Sequence, residues 1–215
     1  MKGDVIIVEA HHRRAAAAIA THLVPRLADL ERRATISVAG ESGSGKSETG
    51  LALLEALGRL GRHAVVLQQD DYFVLPPRSN DSARRRDIRQ VGTDEVRLAL
   101  LDAHLAAVRD GATSLRKPLV IYAEDRIEDE EIVLDGIDTV IAEGTYTSLL
   151  EAIDARVFIA RNRLETIGAR QRRGREAEDP FLEQVLEIEH DIIAPHLELA
   201  DYVITRNYDV ELPQR

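Results

Sequence analysis

Gly40-Glu41-Ser42-Gly43-Ser44-Gly45-Lys46-Ser47 follows the apolar run Thr35-Ile36-Ser37-Val38-Ala39 and leads into a segment with Leu51, Leu54, Leu57 and Leu60 at helical spacing. The eight residues fit G-x-x-x-x-G-K-[ST], a pattern that average residue usage produces by accident in roughly one chain in a hundred of this length. Their setting is the one the pattern needs: a short buried strand, a glycine loop, then an amphipathic helix over Ser47–Leu60. Glycines let successive backbone N–H groups curl inward on an anion, and the helix adds its positive end. Lys46 then reaches the β- and γ-phosphates, and the Ser47 hydroxyl can ligate Mg²⁺. We take Gly40, Glu41, Ser42, Gly43, Ser44, Gly45, Lys46 and Ser47, with Glu48 beside them, as the nucleotide-binding set. The ligand implied is a nucleoside triphosphate with Mg²⁺.

The chain has 215 residues, enough for one α/β core, and its balance of apolar and charged residues is that of a globular protein. It lacks cysteine, which excludes disulfides and thiolate metal sites and fits a reducing cytoplasm. No run is long enough to span a membrane, Val5–Val8 is too short for a signal peptide, and a net charge of −10 argues against nucleic acid as a partner. Positive charge is nevertheless clustered, at Arg84–Arg86 with Arg89 and again over Arg170–Arg175, which suggests local anion binding.

Residues 1–33 read as a helical extension packed on the core, with a helix over His11–Arg33, a kink at Pro25 and a face available for homo-oligomer contact. The adjacent histidines His11 and His12 point in different directions on a helix and read as solvated. Residues 34–215 read as one domain. Its second strand, Ala64–Gln69, ends in Asp70-Asp71-Tyr72-Phe73, so Asp70 stands beside the phosphate loop as general base or ion ligand. A long polar loop, Pro76–Gly92, precedes a helix over Asp94–Asp110. Lys117–Tyr122 and Glu131–Leu134 form a small hairpin at the sheet edge, with acidic, exposed residues Ala123–Glu131 between them. The third core strand, Asp138–Ala142, ends in Glu143, an apolar run closed by an acid that positions Mg²⁺ or its waters. A short helix over Thr147–Ile153, a strand over Ala155–Ala160, an arginine-dense helix over Arg161–Gly174, a helix over Glu178–Leu199 and a last strand at Tyr202–Ile204 complete the α/β pattern.

Taken in order, these marks resemble the uridine kinase/phosphoribulokinase family of P-loop kinases from about Thr35 to Ile204. They are the loop itself, Gln69-Asp70-Asp71-Tyr72-Phe73, Val140-Ile141-Ala142-Glu143-Gly144, Arg172-Arg173-Gly174-Arg175 and Ala200-Asp201-Tyr202-Val203-Ile204. The resemblance implies a three-layer sandwich, a mostly parallel sheet flanked by helices, with an arginine-rich lid at about residues 161–178. It implies an ATP- and Mg²⁺-dependent kinase acting on a hydroxyl of a nucleoside, nucleotide or sugar-phosphate-like acceptor. Asp70 takes the position of the general base, Glu143 that of the Mg²⁺-associated acid with Ser47 and Asp70, and Arg173 and Arg175 those of lid arginines folding over the phosphate. Lys46, Asp70, Arg173 and Arg175 are then the catalytic set.

The acceptor side departs from the family. Tyr122 is followed by Ala123-Glu124-Asp125-Arg126-Ile127, with neither the family's aspartate nor its histidine, and only Asp87 could match a second family segment. We expect Asp71, Tyr72, Arg86, Arg89, Tyr122 and Arg170 to contact acceptor, the arginines favouring an anionic one. Two other readings remain: a nucleotide-dependent regulatory module, and a protein that keeps nucleotide as a structural ligand.

Overall fold

Strand β1 (Ala34–Gly40) is buried at all seven positions, and it lies in the middle of a six-stranded sheet. The computed structural model describes residues 1–3, 6–162, 165 and 179–211. The strand order is β2 (Ala64–Gln68), β5 (Thr139–Glu143), β1, β6 (Ala155–Ile159), β7 (Tyr202–Ile204), β8 (Val210–Glu211). All neighbours run parallel except β7 and β8. Residues alternate between the two faces of the sheet, and both faces are covered. Ile36, Val38, Ile141 and Val157 pack on helices α1 (Ala10–Leu27) and α2 (Lys46–Arg59). Ala39, Val140, Ala142 and Phe158 pack on the opposite layer, which contains α4 (Leu98–Arg109) and the end of α5 (Pro180–Ile193). The fold is therefore the three-layer P-loop sandwich expected from the sequence, and among the described residues no helix is long and apolar enough to cross a membrane.

Helix α1 is part of the core. Ala15, Ala16, Ile19, Ala20, Leu23 and Leu27 are buried and face α2 and the sheet. Pro25 sits in the last turn and ends the helix near Leu27 without splitting it.

Five expectations need correction. The polar stretch Pro76–Gly92 is not one loop; it holds helix α3 (Pro77–Arg86), begun by proline at its first turn. The cap comes from a distant residue. Asp125 accepts from the Arg78 and Ser79 N–H groups at 2.7 and 3.1 Å and from the Ser79 hydroxyl at 2.7 Å. The helix expected over Asp94–Asp110 is broken. Thr93–Glu95 forms a 3-10 turn, and Arg97 donates its N–H to the Tyr72 carbonyl at 2.8 Å, so α4 starts at Leu98. Strands β3 (Ser114–Ile121) and β4 (Arg126–Val133) pair over eight residues as a separate two-stranded sheet, not at the edge of the main one, and β4 takes in most of the acidic segment Ala123–Glu131, with no residue of the strand buried. The helix over Glu178–Leu199 also yields at Pro195: α5 ends at Ile193 and a 3-10 segment runs over Ala194–Leu199. The short helix at Thr147 is a single 3-10 turn over Thr147–Leu149. Most of the expected helix over Arg161–Gly174 lies outside the described residues.

Leu23 is fully buried in α1. Leu23→Ala is expected to cost about 2–5 kcal/mol by chemical denaturation, the range for a core cavity. A surface appendage would lose almost nothing.

Candidate active site

Backbone pairing sets the carboxyl ends of three neighbouring strands level: Gln68 opposite Glu143, and Glu143 opposite Val38, two residues before the phosphate loop. Glu143 therefore reaches both neighbours. Its Oε1 accepts from the Ser47 hydroxyl at 3.0 Å and from Gln68 Nε2 at 3.2 Å. Burial, with the Asp70 charge adding to it, pushes the Glu143 carboxyl up to about 7, although Lys46 and the two hydrogen bonds pull the other way. A glycine must follow: a Cβ at Gly144 would lie 2.2 Å from the Gln69 Cβ, whose side chain turns back to accept the Tyr146 N–H at 2.7 Å.

The loop leaves β1 and enters α2 through Gly45, which adopts φ 97° as the residue before the helix. The Lys46 ammonium donates to the Glu41 carbonyl at 3.0 Å. Helix α5 clasps the loop from outside, with Ser42 donating to Glu189 Oε2 at 3.0 Å and His190 Nδ1 meeting Glu41 Oε1 at 2.6 Å. Glu189 also meets Arg84 of α3 at 3.3 Å, and Arg84 makes a fork onto Glu95 at 2.6 and 2.9 Å. Glu95 is completed by Asn80 and the Gly92 N–H, each at 2.9 Å. A buried polar network thus ties the loop to α3. Glu48, in the first turn of α2, is buried.

Asp70 is exposed, and it lines one cleft of about 620 Å³ together with Ser42 of the loop. Phe73, Asn80, Arg84 and Tyr122 line the same cleft, whose size suits a small ligand. The remaining acceptor candidates are placed elsewhere. Asp71 is buried, pairing with the Lys117 ammonium at 2.7 Å and accepting the Val120 N–H at 3.0 Å, so it anchors the hairpin to β2. The ammonium of Met1 adds a further contact to Asp71 at 3.1 Å. Tyr72 is fully buried and its hydroxyl meets His104 Nδ1 at 2.9 Å. Arg86 is exposed and does not line the cleft. The Arg89 side chain, 87% exposed, folds onto Asp87 of its own turn and faces a separate groove. Asp71 and Tyr72 are thus buried and engaged elsewhere, and Arg86 and Arg89 do not line this cleft. Arg170, Arg173 and Arg175 lie outside the described residues.

The sequence reading passed over Glu95, Lys117, Glu189 and His190. None belongs to a spacing pattern, and each acquires its partner only through the tertiary fold. His12 was read as solvated but is buried against the loop, with Nε2 3.2 Å from the Tyr208 hydroxyl.

The donor set fits a phosphate tail and a hard divalent cation. The loop offers glycine backbone and one ammonium whose partner, among the described residues, is a main-chain carbonyl. Ser47 Oγ and Glu143 present the oxygen ligands Mg²⁺ takes, and a cation would relieve the charge crowding between Glu143 and Asp70.

Glu143 provides a pH test. Its folded carboxyl holds a proton up to about pH 7, whereas the unfolded one ionises near 4.5. Stability is therefore lost as pH rises through that window in the absence of cation. Glu143→Gln is expected to abolish this slope and to be more stable than the parent at pH 8, read by urea midpoints with chelator present. For the arginines, Arg86→Ala and Arg89→Ala are expected to leave acceptor KM within about twofold, since neither faces the cleft.

Comparison with known proteins agrees with this geometry. A bifunctional alpha-galactosidase/sucrose kinase, AgaSK, of Mediterraneibacter gnavus is 29% identical over 196 residues, covering 85% of this chain. The chain spans about a fifth of that protein's length, 21%. Among solved structures, a putative fructose transport system kinase from Silicibacter sp. TM1040 superposes with a TM-score of 0.63 at 18% identity, covering 86% of this chain and 93% of the other. A possible uridine kinase from Bacillus stearothermophilus gives 0.62 at 15%, covering 89% and 97%. The D-glycerate 3-kinase of Cryptococcus neoformans var. grubii gives 0.62 at 14%, covering 92% and 99%. At these identities the structures speak for the fold alone. The family model for the phosphoribulokinase/uridine kinase family matches residues 35–213, and this chain belongs to that family of P-loop kinases.

Proposed function

We propose that the protein transfers the γ-phosphate of ATP to a hydroxyl of an uncharged, polyhydroxylated small molecule, a sugar-like acceptor. Membership of a kinase family implies ATP and a small-molecule substrate. The observation that carries the finer reading is the charge balance of the cleft that Asp70 shares with the loop. Arg84 is matched there by Glu95 and Glu189 and Arg85 by Asp81 and Asp179, while Arg78, the third arginine of the lining, donates to the Ala123 carbonyl at 2.9 Å. A phosphate on the acceptor would have to break those pairs, whereas hydroxyl groups can join them as donors and acceptors. The relative that is 29% identical is described as a bifunctional alpha-galactosidase/sucrose kinase, which supports the same class.

In this reading the residues divide the work. The loop N–H groups and Lys46, leaving the Glu41 carbonyl, hold the triphosphate tail. Ser47 and Glu143 hold Mg²⁺, with Asp70 contributing through water; the ion, when bound, neutralises charge on the transferring phosphate. Asp70 accepts the proton of the attacking hydroxyl. Arg173 and Arg175 carry the proposed lid role, exclusion of water that would compete as acceptor, and Arg170 the proposed contact to acceptor. A carboxylate exposed at the end of β2 can meet a bound hydroxyl, while its buried neighbour Asp71 cannot.

Asp70→Asn is expected to retain ATP affinity while depressing acceptor phosphorylation at least about 10²-fold, the scale of general-base loss. Lys46→Ala is expected to lower turnover strongly in a folded protein. A panel of sugars, sugar phosphates and nucleosides with labelled ATP names the acceptor. Turnover of only the anionic members would overturn the charge-balance reading, and normal turnover by Asp70→Asn would overturn the base.

A further inference from the structure

The described residues contain a second cluster of hydrogen-bonded side chains, on the outer side of the phosphate loop, that the transfer reaction does not use. It joins α1, the last turn of the sheet and the loop. The Tyr208 hydroxyl donates to the Ser44 carbonyl at 3.1 Å. It receives Arg161 Nη1 at 2.7 Å and meets His12 Nε2 at 3.2 Å. The tautomer of His12 follows from its other nitrogen. The Glu9 N–H can only donate, and it points at His12 Nδ1 at 3.1 Å, so Nδ1 accepts and Nε2 carries the proton toward Tyr208. Tyr208 thus accepts twice and donates once, and its single donation goes to the loop.

What that donation does follows from peptide geometry. In a planar trans peptide the C=O and the next N–H point in opposite directions. No cis peptide is present among the described residues. Holding the Ser44 carbonyl outward, on Tyr208, turns the Gly45 N–H inward, toward the cradle that receives phosphate. The fit is tight: a Cβ at Gly45 would lie 2.7 Å from the Tyr208 hydroxyl and 3.0 Å from His12 Nε2. Tyr208 itself adopts φ 62°, a left-handed conformation a bulky residue rarely takes, on the short turn between β7 and β8. The surroundings hold it there: its ring packs on His11 and His12 with centroids 4.1 and 4.9 Å away, and the Arg161 guanidinium lies 5.0 Å from its centre.

We infer that His12 and Tyr208 are positioning residues for the nucleotide phosphates, acting through the Ser44–Gly45 peptide. Helix α1 lies outside residues 35–213, which the family model matches, and it supplies His12 to the loop. The inference rests on the loop holding nucleotide phosphates, as proposed above.

The metal alternative at Glu9, His11 and His12, whose candidate ligand atoms lie within 4.8 Å of one another, is weaker. Both His12 nitrogens are already committed, one to a backbone N–H that a metal would have to displace.

The test measures affinity for ADP and for inorganic pyrophosphate by calorimetry, on the full chain, well below its melting temperature. Tyr208→Phe keeps the ring and removes the hydroxyl; it is expected to weaken both ligands by the same factor, about three- to tenfold, the loss associated with one hydrogen bond. His12→Ala is expected to do likewise, and His12→Gln, which keeps a donor, to recover most of the affinity. A purely structural role would lower the melting temperature without moving either affinity, and that result overturns the inference. Loss for ADP without loss for pyrophosphate would move the contact to the nucleoside, and also overturns it. A His12→Gln variant as weak as His12→Ala would break the link through Nε2. If the parent protein bound neither ligand, the nucleotide reading itself would fall; if the parent bound and the variants bound equally, only the positioning role would.

Discussion

The register of β2, β5 and β1 is the constraint on which the site depends. Parallel strands are held level by their backbone hydrogen bonds, so Gln68, Glu143 and the residues just before the loop arrive together at one end of the sheet. A shift of one residue would turn Glu143 to the opposite face, away from Ser47 and Gln68. The same level ends place Asp70, the second residue after β2, within electrostatic reach of Glu143, whose carboxyl is raised by burial first and by the Asp70 charge second. Position is supplied by the sheet, and the chemistry is supplied by the few polar atoms it brings to its rim.

Around that rim the protein uses its charges sparingly. The chain is acidic overall, and its basic cluster near Arg84 looks like an anion trap in the sequence. In the structure the Arg84–Glu95 pair ties α3 to the 3-10 turn Thr93–Glu95, and Arg84–Glu189 ties α3 to α5, with Glu189 passing the connection to Ser42. Burying such groups is tolerable only because each remaining oxygen and N–H finds a partner. Asp71 and Lys117 do the same for the hairpin. Charged side chains near the cleft therefore act mainly as construction, and Asp70, standing exposed among them, is distinguished by what it has not been given.

The contrast between Asp70 and Asp71 shows where a sequence reading runs out. The pair Asp70-Asp71 is visible as acid at the end of a strand, but one residue of separation sends them to different environments, one to the cleft and the other under the hairpin. They sit on a 3-10 turn, Gln69–Tyr72, where neighbouring side chains point in different directions, and the sequence does not say which one faces the cleft. Likewise α3 was hidden because its composition is that of a loop, and the residue that caps it, Asp125, stands far along the chain. Arg86 and Arg89 were chosen for charge, and charge alone carries no direction.

By itself the sequence determined the phosphate loop, the strand leading into it, the helix leaving it, the acid closing β5 and the alternation of strands and helices that makes a three-layer sandwich. These are local features: glycine conformational freedom, a hydrophobic period, a fixed spacing between a lysine and a hydroxyl. Only the tertiary structure decided that β5 inserts between β2 and β1, that Glu189 and His190 clasp the loop, that His12 lies behind Gly45, and that Asp70 and not Asp71 faces the cleft. Those facts rest on contacts between residues up to 196 positions apart, such as His12 and Tyr208, and pairings of that kind leave no periodic trace in a single chain.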